Sequence, residues 1–191
     1  MKQLLVLFCL TISFTAFIFP TENKDFDMWI EQDGKKIKME DNSCTIDKKP
    51  FKIVFSLKDS TGVLVNTSFD EKSYKQAKSG MDINKVKGYT ETGMAEGKFN
   101  EGKDVFIDDL APSYWYYDGK DDNRFDEVVN ENNALICKRT INNFWISSDN
   151  IIKVEDSKEQ NLYLVAHTYE WSKDYSKRIE FVRKYIKITF K

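Results

Sequence analysis

Residues 26–41, "FDMWIEQDGKKIKMED", decide how the chain is read. Asp33-Gly34 suits a two-residue type I′ turn, because both central residues of that turn need positive φ. Folding about it sets Gln32 opposite Lys35, Glu31 opposite Lys36, Ile30 opposite Ile37 and Met28 opposite Met39. Apolar side chains then meet on one face and Glu meets Lys on the other. A β-hairpin with one face to bury is predicted.

The same period of two recurs downstream. Phe51, Ile53, Phe55 and Leu57 share one face, "KDSTG" makes a connection, and Val63, Val65, Thr67 and Phe69 continue the alternation, so a second hairpin is expected there. The next stretch, "DEKSYKQAKSG", changes to helical logic. Asp70 is the expected N-cap, Phe69 a staple to Tyr74, Ala77 a residue of the same face and Gly80 the terminator.

Further strands are predicted near residues 134–141, 144–146, 151–154, 162–171 and 179–190. Residues 162–171 are apolar or aromatic on nearly both faces, as a central strand requires. In the last segment Val182, Ile186, Ile188 and Phe190 share one face while Ile179 and Phe181 fall out of phase. A bulge near 181–182 reconciles them. Many strands, short turns and one brief helix predict a mostly β, antiparallel, sandwich-like single domain over residues 21–191.

Residues 1–20 read differently. One Lys at position 2 precedes an apolar run that ends at Pro20, the pattern of a secretory signal peptide. Export is expected, to a secreted or periplasmic location. Phe14, two residues before Ala16, is bulky for a cleavage site, which leaves an uncleaved anchor open. Membrane association is expected only in that case. Cys9 does not make a lipoprotein site, since Phe8 stands where a small residue is needed.

The chain has 191 residues and a net charge of -2, so it offers no global attraction to nucleic acid. Residues 173–191 hold seven Lys or Arg against two acids, and these charges alternate with core residues, as on a solvated outer face. Beyond the leader the only cysteines are Cys44 and Cys137. In an oxidising compartment they could form one bridge, worth about 4.6 kcal/mol on the chain-entropy account. Two buried free thiols are the alternative, because spacing alone does not show whether the Cα atoms approach.

Catalytic motifs are weak. "GKFNEGKD", residues 97–104, approximates a phosphate-binding loop, but Asp104 stands where a hydroxyl should follow the Lys and would repel phosphate. His167 is the only histidine, which excludes a histidine cluster for zinc, and its aromatic strand context predicts a structural role. Asn66-Thr67-Ser68 fits a glycosylation acceptor, although it falls within a predicted strand. Asp108, Asp109, Asp118, Asp121, Asp122, Asp126, Glu127 and Glu170 could supply a carboxylate pair, so an envelope hydrolase is one alternative. Residues 118–127, "DGKDDNRFDE", lack the order of a calcium-binding EF-hand, and no cofactor or metal is expected.

The stretch "SYWYYDGKDDN", residues 113–123, carries the leading expectation. Alternation puts Tyr114 and Tyr116 on one face and Trp115 and Tyr117 on the other, so one pair can be core while the other is partly exposed. Trp115 or Tyr117, with Asp118, Asp121, Asp122 and Asp126 of the following loop, would then form a binding surface. The expected function is non-catalytic binding of a protein or glycan partner. A structural or adhesive subunit using an exposed strand edge is the other alternative.

Overall fold

The Asp33-Gly34 turn forms as predicted. Both residues have positive φ, 52° and 73°, and strand β1 (Phe26–Gln32) pairs with β2 (Lys35–Lys36) in the expected register, Glu31 beside Lys36 and Gln32 beside Lys35. The computed structural model describes residues 24–58, 62–86, 89, 104–107, 114–117, 125–147 and 150–191. The leader 1–20, Asp118, Asp121 and Asp122 lie outside the described residues.

The remaining elements are β3 (Ser43–Ile46), β4 (Phe51–Leu57), β5 (Gly62–Ser68), α1 (Glu71–Lys78), β6 (Asp104–Ile107), β7 (Tyr114–Tyr116), β8 (Glu127–Glu131), β9 (Ala134–Ile141), β10 (Asn143–Ser147), β11 (Asn150–Lys153), β12 (Asn161–Trp171) and β13 (Arg178–Phe190). One sheet has the order β2-β1-β4-β9-β8; the other runs β11-β10-β6-β5-β12-β13-β3, with β7 also on β5. Pairing is antiparallel except between β13 and β3. The chain is therefore a mostly β, sandwich-like domain with one short helix. Among the described residues no helix is long and apolar enough to cross a membrane.

Alternation builds the layer between the sheets. Phe51, Ile53, Phe55 and Leu57 of β4 are all buried, facing Leu162, Leu164 and Ala166 of β12 and Ile186, Ile188 and Phe190 of β13 in one cluster. Each fully buried side chain of this size contributes about 1.5–3 kcal/mol. The outer side of the larger sheet carries a second cluster beneath α1, with Tyr74 and Ala77 on Tyr163 and Val165. Strand β12 is thus covered on both faces, which is why its sequence lacks a polar face.

Two local expectations are corrected. Strands β4 and β5 do not form a hairpin: β4 pairs with β1 and β9, whereas β5 pairs with β12, β6 and β7 in the other sheet. Alternation specifies which face is apolar but not which neighbour is taken. Asp70 does cap α1, its carboxylate accepting from Ser73 N, and Gly80 closes the helix at φ 87°. Phe69, however, packs edge-on against Phe144 at 5.2 Å, while Tyr74 lies 5.0 Å from Tyr163.

Gln32 ties the first hairpin to the connection between β3 and β4. Its buried amide donates to the carbonyls of Asp47 (3.0 Å), Lys49 (3.2 Å) and Pro50 (3.3 Å), and its oxygen accepts from Asp47 N at 2.9 Å. These are backbone groups that the sheet ladder does not satisfy. Replacing Gln32 by Ala should cost about 2–3 kcal/mol, because buried polar groups lose their partners. Urea unfolding checks this: a lower midpoint at unchanged slope is expected.

Candidate functional site

The strand expected to present aromatic rings turns its indole inward. β7 pairs antiparallel with β5, placing Trp115 beside Val63, and Val63 faces the layer between the sheets. Trp115 shares that direction and is only 2% exposed. Its ring is edge-on to Phe55 (6.0 Å) and Phe125 (6.3 Å), and the buried Arg139 guanidinium lies 4.9 Å from its centroid. Trp115 is a core residue, a correction of the exposed-platform expectation. Tyr117 is half-buried and packs against the same cluster.

The carboxylates of that region which fall among the described residues are engaged in the fold. Asp126 accepts a hydrogen bond from Thr140 N, and its own N–H donates to Lys138 O at 2.8 Å, so it pins the start of β8 to β9. Glu127 pairs with Lys52, and Glu170 with Lys24 at 3.3 Å. Asn66 is nearly buried and donates to Tyr89 O at 3.2 Å, a structural use of the glycosylation motif's first residue. His167 is buried 6.5 Å from the Tyr169 ring. Among the described residues no group of three His, Cys, Asp or Glu is placed to hold a metal.

The two cysteines are free thiols, so the bridge is not formed and the alternative stands. Cys44 lies in β3 and Cys137 in β9, each packed as a small apolar side chain in the core. Burial pushes their thiols up to about 11 and about 12, far from the thiolate a nucleophile needs.

Exposed apolar surface gathers instead on the hairpin joining β12 to β13. β5 covers β12 only from Tyr163 to His167, and β3 covers β13 only from Lys187 to Phe190. Beyond those limits the two strands continue together as a two-stranded arm, with Tyr169 beside Glu180, Glu170 beside Ile179 and Trp171 beside Arg178. The register shifts between Thr168 and Tyr169, leaving Phe181 as the extra residue of a bulge, at the place the sequence required one. Of seven large apolar side chains that are exposed among the described residues, four, Trp171 (45%), Tyr175 (77%), Ile179 (40%) and Phe181 (43%), belong to this arm, while Met81, Val129 and Ile151 are scattered elsewhere.

Cross-strand partners share a face, so the arm is apolar on both sides. Tyr169 and Trp171 occupy one face, their rings edge-on at 6.0 Å. Ile179 shares the other with Glu170, and Lys24 binds Glu170 while lying over the Phe181 ring at 5.1 Å. The bulge carries Ile179 onto the face that deeper in the sheet makes the core, but beyond the reach of the opposing sheet.

The tip is built rather than loose. Asp174 accepts from Ser172 Oγ (2.6 Å), Ser176 Oγ (2.8 Å) and Ser176 N (3.2 Å), while Ser172 N donates to Lys177 O (2.9 Å). Tyr175 stands at φ 57°, a conformation an aromatic residue adopts at a cost of about 1 kcal/mol or more. The framework around it thus holds a strained, outward-pointing phenol. Sequence reading missed the arm because its lysines resembled a solvated face. The signal lay in the phase break at Ile179 and Phe181: the residues that demand the bulge are among those left exposed.

One cleft competes. About 660 Å³ in volume, it is lined by Trp29, Met28, Ile37, Met39 and Lys36 among others. Lys36 Nζ already lies 4.3 Å from the Trp29 centroid, and Trp29 Nε1 donates to Glu31 at 3.1 Å. The indole's polar atom and one ring face are therefore taken within the protein. Compared with protein-family models, with curated proteins and with solved structures, the chain matches none.

The hydrogen bonds to Asp174 hold its carboxyl well below the usual carboxylate value of 3.8, at about 2. A depressed folded-state value means the cap is intact above the unfolded value and is lost as pH falls through the folded one. Protection of the Ser176 and Lys177 amides, taken as exchange relative to the unstructured-peptide rate at each pH, should persist at pH 5 and be lost only as the pH drops from about 4 to about 2. Protection that is already lost at pH 5 would contradict a preformed tip.

Proposed function

We propose that this chain is an exported, non-catalytic binding module whose binding element is the β12–β13 arm. The observation that carries the reading is the concentration of exposed Trp, Tyr, Ile and Phe on one projecting ribbon with an ordered tip. Monomeric proteins seldom leave such groups together in water without use. Tyr and Trp suit binding because they offer large contact area with few rotatable bonds.

Export is proposed from the leader alone, and with it a secreted or periplasmic location. The arm takes over the role that the sequence suggested for residues 115–127, since Trp115 packs in the core. A carboxylate-pair hydrolase gains no support from Asp126, Glu127 or Glu170, each of which already holds another part of the fold.

Placing a photo-crosslinking phenylalanine analogue at position 175, and separately at the exposed Val129 on the other sheet, tests the reading. Irradiation in the protein's native surroundings should yield adducts from position 175 and few or none from 129. Adducts from 129 alone, or from neither position, would count against it.

A further inference from the structure

We propose that the surface the arm engages is a lipid bilayer carrying anionic headgroups; this rests on the arm being the binding element. The two-sided apolar character is the first reason. A flat protein partner would bury Tyr169 and Trp171 or else Ile179 and Phe181, leaving the other pair in water. A bilayer interface surrounds an inserted ribbon, so both faces and the Tyr175 tip leave water together. Trp and Tyr are the side chains enriched at headgroup depth.

Charge supplies the second reason. Glu170 is paired with Lys24, and Glu180 with Arg183 at 2.6 Å, so both arm glutamates are neutralised by partners on the body side. At the tip the Asp174 carboxylate is occupied by Ser172 and Ser176. Lys173 and Lys177 flank it, both exposed and in no ion pair among the described residues. Two exposed lysines outnumber the one carboxylate between them, and a cationic rim beside an aromatic tip is complementary to an anionic headgroup layer.

The arm's base is fixed to the body: Thr168 Oγ1 donates to Lys24 O at 2.9 Å, and Lys24 reaches Glu170. Depth is limited: among the described residues the ribbon's outer edges have no strand partners beyond His167 and before Lys187, and unpaired backbone is not tolerated in hydrocarbon. The arm docks at headgroup level and does not span.

The test is co-sedimentation of the chain from residue 21, which contains every described element, with vesicles of phosphatidylcholine alone or mixed with phosphatidylglycerol. Binding is expected to the mixed vesicles and to be much weaker to the neutral ones. Trp171→Ala with Tyr175→Ala should abolish it, and Lys173→Gln with Lys177→Gln should weaken it about 25-fold, about fivefold per lysine. These side chains are exposed, so unchanged thermal unfolding is expected for both variants. No sedimentation with either vesicle, or equal binding by wild type and the aromatic variant, overturns the lipid assignment. If position 175 still crosslinks a protein while vesicles are ignored, the arm stands as the binding element and only the lipid class falls; if both fail, both readings fall.

Discussion

Strands β12 and β13 are longer than the strands beside them, and the rest of the molecule is arranged around that mismatch. Their ladder joins eleven residue pairs, yet β5 accompanies β12 along only five residues and β3 accompanies β13 along only four. Where neighbours are present, both faces of β12 are buried, one against the opposing sheet and the other beneath α1. Where they stop, the same alternation continues into solvent and carries Trp171, Ile179 and Phe181 with it. A two-stranded ribbon is marginal alone. Here its base is tied by Lys24 and its tip by the serine and aspartate cap.

Aromatic side chains are divided between two tasks. Trp115, Phe55 and Phe125 meet edge-to-face inside the sandwich, with Arg139 against the indole, an arrangement that gives β7 a fixed seat on β5. Tyr74, Tyr163 and Tyr185 form a second group under α1, where Tyr185 and Arg183 donate to the carbonyl of Ala77 at the helix's last turn. Burial pushes the Tyr74 phenol up to about 12, so it stays neutral across ordinary pH. The rings of the arm belong to neither group.

Much of the architecture was legible because period-two alternation is a direct consequence of strand geometry. Residues 51–57, 134–141, 162–171 and 179–190 fall on strands β4, β9, β12 and β13, and the bulge at Phe181 follows from phase alone. Strand β8 escaped notice because its edge position lets Glu127, Asn130 and Glu131 face water, and β3 because it is only four residues long. Partner choice was not legible: nothing in Val63 or Val65 says that β5 joins a different sheet from β4. The same gap misplaced the candidate site. "YWYY" specifies an aromatic strand, but whether Trp115 is covered depends on Phe55 and Phe125, which are remote in sequence.

The central claim is that indole surface is withheld at 115 and offered at 171. Incorporating 5-fluorotryptophan, assigning each resonance by single Trp→Phe substitution and comparing ¹⁹F shifts in light and heavy water measures this directly. The account predicts a clear solvent isotope shift for Trp171 and almost none for Trp115. A shifted Trp115 beside an unshifted Trp171 would contradict it.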